Sequence, residues 1–181
     1  MKESFSKESK RIPCITDTSV IVGLYKGGVL ELASYSFLLR VPDLIIAEEL
    51  ACRNKNYKMC HINGNKLIRE GIIQKIEFSG FDMEKLYGWR QNDKQLSLYD
   101  YAAMYAAQRD GLILLADDKK LRQKAKREGI EVHGSLWIVD FLVINKMLSP
   151  RDGILVIQNM QNNGHYLPSR QYIRSVFRWT A

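Results

Sequence analysis

Acidic residues stand at the places in this 181-residue chain where apolar runs give way to new elements. Asp17 follows the apolar "RIPCIT" (11–16). Glu48 and Glu49 lie in the segment after Pro42. Asp100 comes three residues after Ser97, and Asp117 and Asp118 directly follow "LILLA" (112–116). Each has a local explanation. Asp17 suits an N-cap, Asp100 completes an S-x-x-D capping box, and Asp117 or Asp118 suits the start of the next helix. Glu48 and Glu49 fit a solvated helix face. Taken together they suggest another chemistry. Several carboxylates brought close cannot all ionise without a cation, and oxygen-only ligands select a hard divalent ion, Mg2+ or Mn2+.

Whether they meet depends on the elements that carry them. Short apolar runs at 11–16, 38–42, 72–78, 112–116 and 130–134 read as strands. Helical turns are expected between them: 19–38 with a break at Gly27-Gly28, 43–53 and 66–71. Ser97 and Gly111 bound a further helix, and Gly129 stops another over 117–128. The polar stretch 81–93 reads as helix or loop, and 54–65 as irregular. Three more helices are expected over 135–147, 149–164 and 168–179. Strands alternating with helices imply an α/β protein with a mainly parallel sheet covered on both faces. In such sheets functional groups gather beyond the carboxyl ends of the strands. Asp17 and Asp117/Asp118 leave strands at that edge, and the alanine-rich stripe beside Asp100 (Ala103, Ala107) turns that acid's face toward the sheet.

Charge points the same way. With 27 Lys and Arg against 20 Asp and Glu, the net charge of +7 favours a polyanionic partner, nucleic acid before anionic membrane. A basic surface around an acidic metal pocket suits cleavage of a phosphate backbone by metal-activated water. Three cysteines (Cys14, Cys52, Cys60) are an odd number in a chain that needs no staples, so a reducing cytoplasm is expected. Cys52, Cys60 and His61 lack zinc-ligand spacing. No apolar run reaches membrane-spanning length, and no membrane role is expected. A dinucleotide site would want G-x-G-x-x-G after the first strand, a dehalogenase-type phosphatase D-x-D, and a receiver an acceptor Asp after a middle strand; none is present.

The stretches "CITDTSVIVGLYKGGVLELASYSFLLRVPDLIIAEEL", "LSLYDYAAMYAAQRDGLILLADDKKLRQKAKREGIEVHGSLWIVDFLV" and "KMLSPRDGILVIQNMQNNGHYLPSRQYIRSVFRW" resemble a PIN domain, more narrowly the bacterial VapC-like PIN proteins. The resemblance covers most of the chain from about Ile12, with 53–92 poorly matched. It implies an α/β/α sandwich and a Mg2+- or Mn2+-dependent endoribonuclease, often a homodimer and often held inactive by an antitoxin protein. By position, Asp17 is the first acid, with Ser19 as the nearby hydroxyl. Glu49 is the second, beside Glu48, and Asp100 the third. The fourth is Asp118 in a D-x-x-L frame, or Asp117. Ala116 stands where many members carry Thr or Ser; a catalytically inactive PIN-like module binding RNA or protein is therefore the alternative. The resemblance divides the chain into a flexible lead-in (1–11), a PIN-like domain (12–147) and a C-terminal helical extension packed on it (148–181).

Around the acids, Lys119, Lys120 and Arg122 start a basic helix and are candidates for holding phosphates. Arg170, Arg174 and Arg178 recur every four residues opposite Ile173, Val176 and Phe177, the pattern of an amphipathic terminal helix. Tyr166, Tyr172 and Trp179 could stack on unpaired bases, and packing is the expected role of each. His61, His133 and His165 fit no catalytic spacing and are read as structural or surface residues.

Overall fold

The structure, a computed structural model, describes residues 11–50 and 62–180. Nearly all of the lead-in and the trio Cys52, Cys60 and His61 lie outside the described residues. Strand β1 (Ile12–Thr16) runs into helix α1 (Thr18–Gly27). Gly28 at φ 76° ends that helix in the left-handed conformation glycine tolerates, so the expected break falls there. A second helix, α2 (Leu30–Ser36), leads to β2 (Phe37–Pro42). The strand starts one residue earlier than the sequence suggests because Phe37 is wholly buried, with its ring 4.9 Å from Phe141 and 5.4 Å from Trp137.

Pro42 then launches α3 (Asp43–Glu48), which stops at Glu48 and not at residue 53; the Glu49 and Leu50 N–H groups both turn back to Ile45 O. After α4 (Gly64–Arg69) and β3 (Ile73–Ile76) comes α5 (Gly80–Asn92), so the ambiguous polar stretch is a helix. Its start is fixed by a capping box in which Ser79 and Asp82 satisfy each other's N–H groups. Asp82 also accepts from the Tyr105 hydroxyl at 2.8 Å, tying α5 to α6 (Leu98–Asp110). The alanines make α6 slim, and every residue from 101 to 107 is buried. Strand β4 (Ile113–Leu115), α7 (Lys119–Arg127), β5 (Val132–His133) and α8 (Ser135–Ile144) follow.

The five strands form one parallel sheet in the order β3-β2-β1-β4-β5. Going outward from β1, the chain builds β2 and β3, then returns to the other side of β1 for β4 and β5. Helices cover the sheet in a three-layer α/β/α arrangement, with α6 packing on β1, β2 and β4 and against α3 and α7, and α1 packing against α8. The connections leaving β1 and β4 therefore diverge, and a crevice opens beyond their carboxyl ends. The Asp17 N–H donates to Leu115 O at 2.9 Å across that junction.

Helix α9 (Pro150–Asn162) packs on α1 and α8, followed by α10 (Arg170–Val176) and a short 3-10 turn, Arg178–Thr180. Close approach to α1 needs Gly27, where a Cβ would stand 3.0 Å from Val156 and 3.1 Å from Met160. Trp179 packs as expected: its indole N–H donates to Asp140 at 2.7 Å. Tyr166 and Tyr172 do not pack; they are 89% and 55% exposed because the segment around α10 lies on the outside of the fold. Val176 is exposed as well, so of the expected apolar stripe Ile173 is the member that is buried.

At Gly153 a Cβ would fall 2.7 Å from Trp179 Cζ3 and 2.8 Å from Val143 Cγ2. Gly153→Ala is expected to lower unfolding stability by roughly 1–3 kcal/mol through overpacking. Urea unfolding with tryptophan fluorescence checks this, and an unchanged midpoint would mean that Trp179 is not seated there.

Candidate active site

Asp17 leaves β1 with extended backbone (ψ 158°) and caps α1. Its Oδ2 accepts from the Ser19 N–H at 3.3 Å and from the Ser19 hydroxyl at 2.7 Å. The residue is 5% exposed, and its pKa is pushed up to about 7. Burial is the main cause; the Ser19 hydroxyl opposes it, and negative charge on Asp100 and Glu49 adds to it. Glu49 reaches the same place from the turn after α3, where its Oε2 accepts from the Thr18 hydroxyl. Its pKa is raised by burial, with Thr18 opposing and Asp100 adding. Glu48 is exposed on the end of α3, and its charge adds to the burial that raises the Tyr99 pKa.

Asp100 keeps both of its sequence readings. It forms the capping box with Ser97, accepting the Ser97 N–H at 2.8 Å. It is nevertheless half-buried, and its pKa is raised by burial and, in smaller part, by Asp118, against the pull of Ser97. Asp118 is exposed and caps α7 through the Leu121 N–H at 2.8 Å. Asp17, Glu49, Asp100 and Asp118 thus form a chain of mutually repelling carboxylates across the β1/β4 crevice.

Asp117 is used differently. Its Oδ1 accepts from the Ser135 N–H at 2.8 Å, and its Oδ2 lies 3.0 Å from His165 Nε2. Its own N–H donates to the Ser19 hydroxyl at 3.1 Å, the oxygen that also serves Asp17. Ala116 is wholly buried, and the hydroxyl at this turn comes from Ser19 across the crevice. Gly134 permits the close approach, since a Cβ there would stand 2.6 Å from Asp117 Oδ1 and 3.4 Å from Arg122 Nη1. His165 is the residue that sequence reasoning left aside. It lies 48 positions from Asp117, and no spacing announces a contact made by the far end of a C-terminal helix.

The cations divide as well. Lys119 and Lys120 are exposed in the first turn of α7, whereas Arg122 is half-buried near Gly134. Lys124 is taken up by Asp93 at 2.9 Å and Glu128 at 3.9 Å. Cys14 is a buried core thiol whose pKa is pushed up to about 12, mainly by burial.

A hard divalent cation suits this donor set, which is all carboxylate oxygen and already carries the electrostatic cost of crowding. Among the described residues no three acid, histidine or cysteine side chains are yet gathered as a metal-holding group. Asp17, Asp100 and Asp118 instead each turn one oxygen onto a cap.

A parallel α/β sandwich with acids at the switch point of its sheet is the class of protein these features define. A family model described as a PIN domain matches residues 13–180, and the chain belongs to that family. Among solved structures, a PilT N-terminus domain protein from the archaeon Sulfolobus solfataricus is similar at 12% identity, covering 88% of this chain and 99% of that one, with a TM-score of 0.45. Comparison with curated proteins gives no match. No helix among the described residues is long and apolar enough to cross a membrane.

Because the folded pKa of Asp17 lies above its unfolded value, its contribution to stability is intact below about pH 4 and is lost as pH rises toward 7. Three pKa units correspond to roughly 4 kcal/mol at full effect. Asp17→Asn is expected to flatten this decline and to leave the metal-free protein more stable than wild type at neutral pH. Urea midpoints of both proteins across this range check it; parallel curves would mean that Asp17 is not a buried, crowded acid.

Proposed function

We propose that this PIN-domain protein is a divalent-metal-dependent endoribonuclease. The observation that carries the reading is the electrostatic loading of Asp17, Glu49 and Asp100 at the edge where β1 and β4 part. Mg2+ or Mn2+, when bound, supplies a water of lowered pKa and positive charge for the scissile phosphate. Asp17, Asp100 and Asp118 hold the ion. Asp118 takes this role and not Asp117, because both Asp117 oxygens are already engaged by Ser135 and His165.

Ser19 and Thr18 orient the Asp17 and Glu49 carboxylates, which fixes the face each presents to the crevice. Glu49 orients the attacking water. Lys119 and Lys120, exposed beside Asp118, and the half-buried Arg122 hold flanking phosphates of the RNA. The resemblance to VapC-like proteins extends the proposal to a cytoplasmic toxin that forms a homodimer and is restrained by an antitoxin. It also makes residues 148–181 an extension of the PIN domain.

Ala116 and the unconverged carboxylates favour a second reading, an inactive PIN-like module that binds RNA or protein. Incubation of purified protein with a mixed single-stranded RNA pool separates the two. Cleavage is expected with Mn2+ or Mg2+, abolished by EDTA, and reduced at least about 100-fold in Asp17→Asn and Asp100→Asn, the range seen when a metal's oxygen ligands or electrostatic groups are lost. RNA retention without cleavage under either metal would install the binding module instead.

A further inference from the structure

The end of α9 is built to deliver one side chain to the crevice. Gly164, at φ 72°, reverses the chain, and the His165 N–H closes the turn on Met160 O at 2.9 Å. The imidazole then lies against α1 where that helix has no side chain: a Cβ at Gly23 would stand 2.6 Å from Nε2 and 2.8 Å from Cε1. Only 8% of the His165 side chain remains exposed, and its Nε2 lies 3.0 Å from Asp117 Oδ2.

From Asp117 the contacts continue. Ser135 N–H holds its other oxygen, and its main-chain N–H reaches the Ser19 hydroxyl, which in turn donates to Asp17. Asp117 is therefore fixed by α1, by α8 and by the end of α9, while its neighbour Asp118 is exposed and its charge acts on Asp100. Fixing the backbone of one residue fixes the direction of the next.

We infer that His165 is a positioning residue: through Asp117 it sets the turn from Ala116 to Asp118, so that Asp118 and Asp17 face a common cation. This rests on the metal-nuclease reading above and adds to it a residue supplied by the C-terminal helices. The plain alternative is a staple that only fastens α9 to the domain.

Binding of Mn2+ alone, followed by the electron paramagnetic resonance signal of the free ion, distinguishes them without reference to turnover. His165→Ala is expected to raise the Mn2+ Kd roughly 10- to 100-fold, the usual cost of removing a partner that orients a metal ligand. His165→Gln, whose amide nitrogen occupies the place of Nε2, should return affinity to near the wild-type value. His165→Asn, one methylene shorter, should not; this pair decides the matter if the alanine variant does not fold. Trp179→Phe, which loses the bond to Asp140 far along the same extension, serves as the control: it should lower thermal stability and leave Mn2+ affinity alone. A His165→Ala or His165→Asn protein that is less stable but binds Mn2+ as wild type does would overturn the positioning role and leave the nuclease reading standing. A wild-type protein that takes up no Mn2+ would remove both.

Discussion

Burial of neighbouring carboxylates at one edge of a parallel sheet is the constraint from which the rest of this molecule can be understood. A sheet ordered β3-β2-β1-β4-β5 sends the chain away from β1 in both directions, so the residues leaving β1 and β4 face a shared crevice. Placing Asp17 there, where burial chiefly, and the charges on Asp100 and Glu49 in addition, raise its pKa, works against folding stability. Ordinary packing does not call for such an arrangement, since an apolar or neutral side chain at each place would bury more cheaply. The local devices around the acids make sense as answers to that cost.

Those devices are caps and hydroxyls. Asp17, Asp100 and Asp118 each begin or adjoin the start of a helix, where N–H groups and the helix dipole favour negative charge. Ser19 and Thr18 donate hydroxyl protons to Asp17 and Glu49. The capping role and the proposed catalytic role are therefore not rivals. A cap uses one carboxylate oxygen and leaves the other for a second partner, as the Asp17 geometry shows: both Ser19 contacts fall on Oδ2. Asp117 is the exception: each of its oxygens has a protein partner, the Ser135 N–H and His165 Nε2.

Much of this was legible in the amino-acid order, and the part that was not has a physical reason. Gly28 and Gly111 end their helices in the left-handed conformation, and Ser97 caps its helix as its type suggests. The acids after β1 and β4 had to share an edge once the sheet was parallel. The choice between Glu48 and Glu49 was open because it depends on α3 ending early, which brings Glu49 onto a turn beside Thr18. The choice between Asp117 and Asp118 was open because adjacent residues point in different directions, and only the position of His165 and Ser135 shows which one is occupied. Tyr166 and Tyr172 were misread because composition cannot tell an aromatic that packs from one carried on an outer segment.

The opposition between a net charge of +7 and an acidic crevice resolves in terms of distance. Exposed cations act over about a Debye length, roughly 8–10 Å at ordinary salt, and summed over a surface they draw a polyanion in from solution. Within the crevice the carboxylates dominate, and without a counter-ion they repel the phosphate that the surface attracts. In the proposed nuclease these two fields make metal and RNA mutually dependent partners of the site: the ion relieves the acids, and the relieved site then accepts phosphate. Lys119 and Lys120 sit at the boundary between the two regimes, one and two residues beyond Asp118. In the proposed nuclease, replacing them with neutral residues would weaken the long-range attraction without lowering the local charge cost, so surface cations would govern encounter with RNA while the acids and their hydroxyl partners would govern what happens after it.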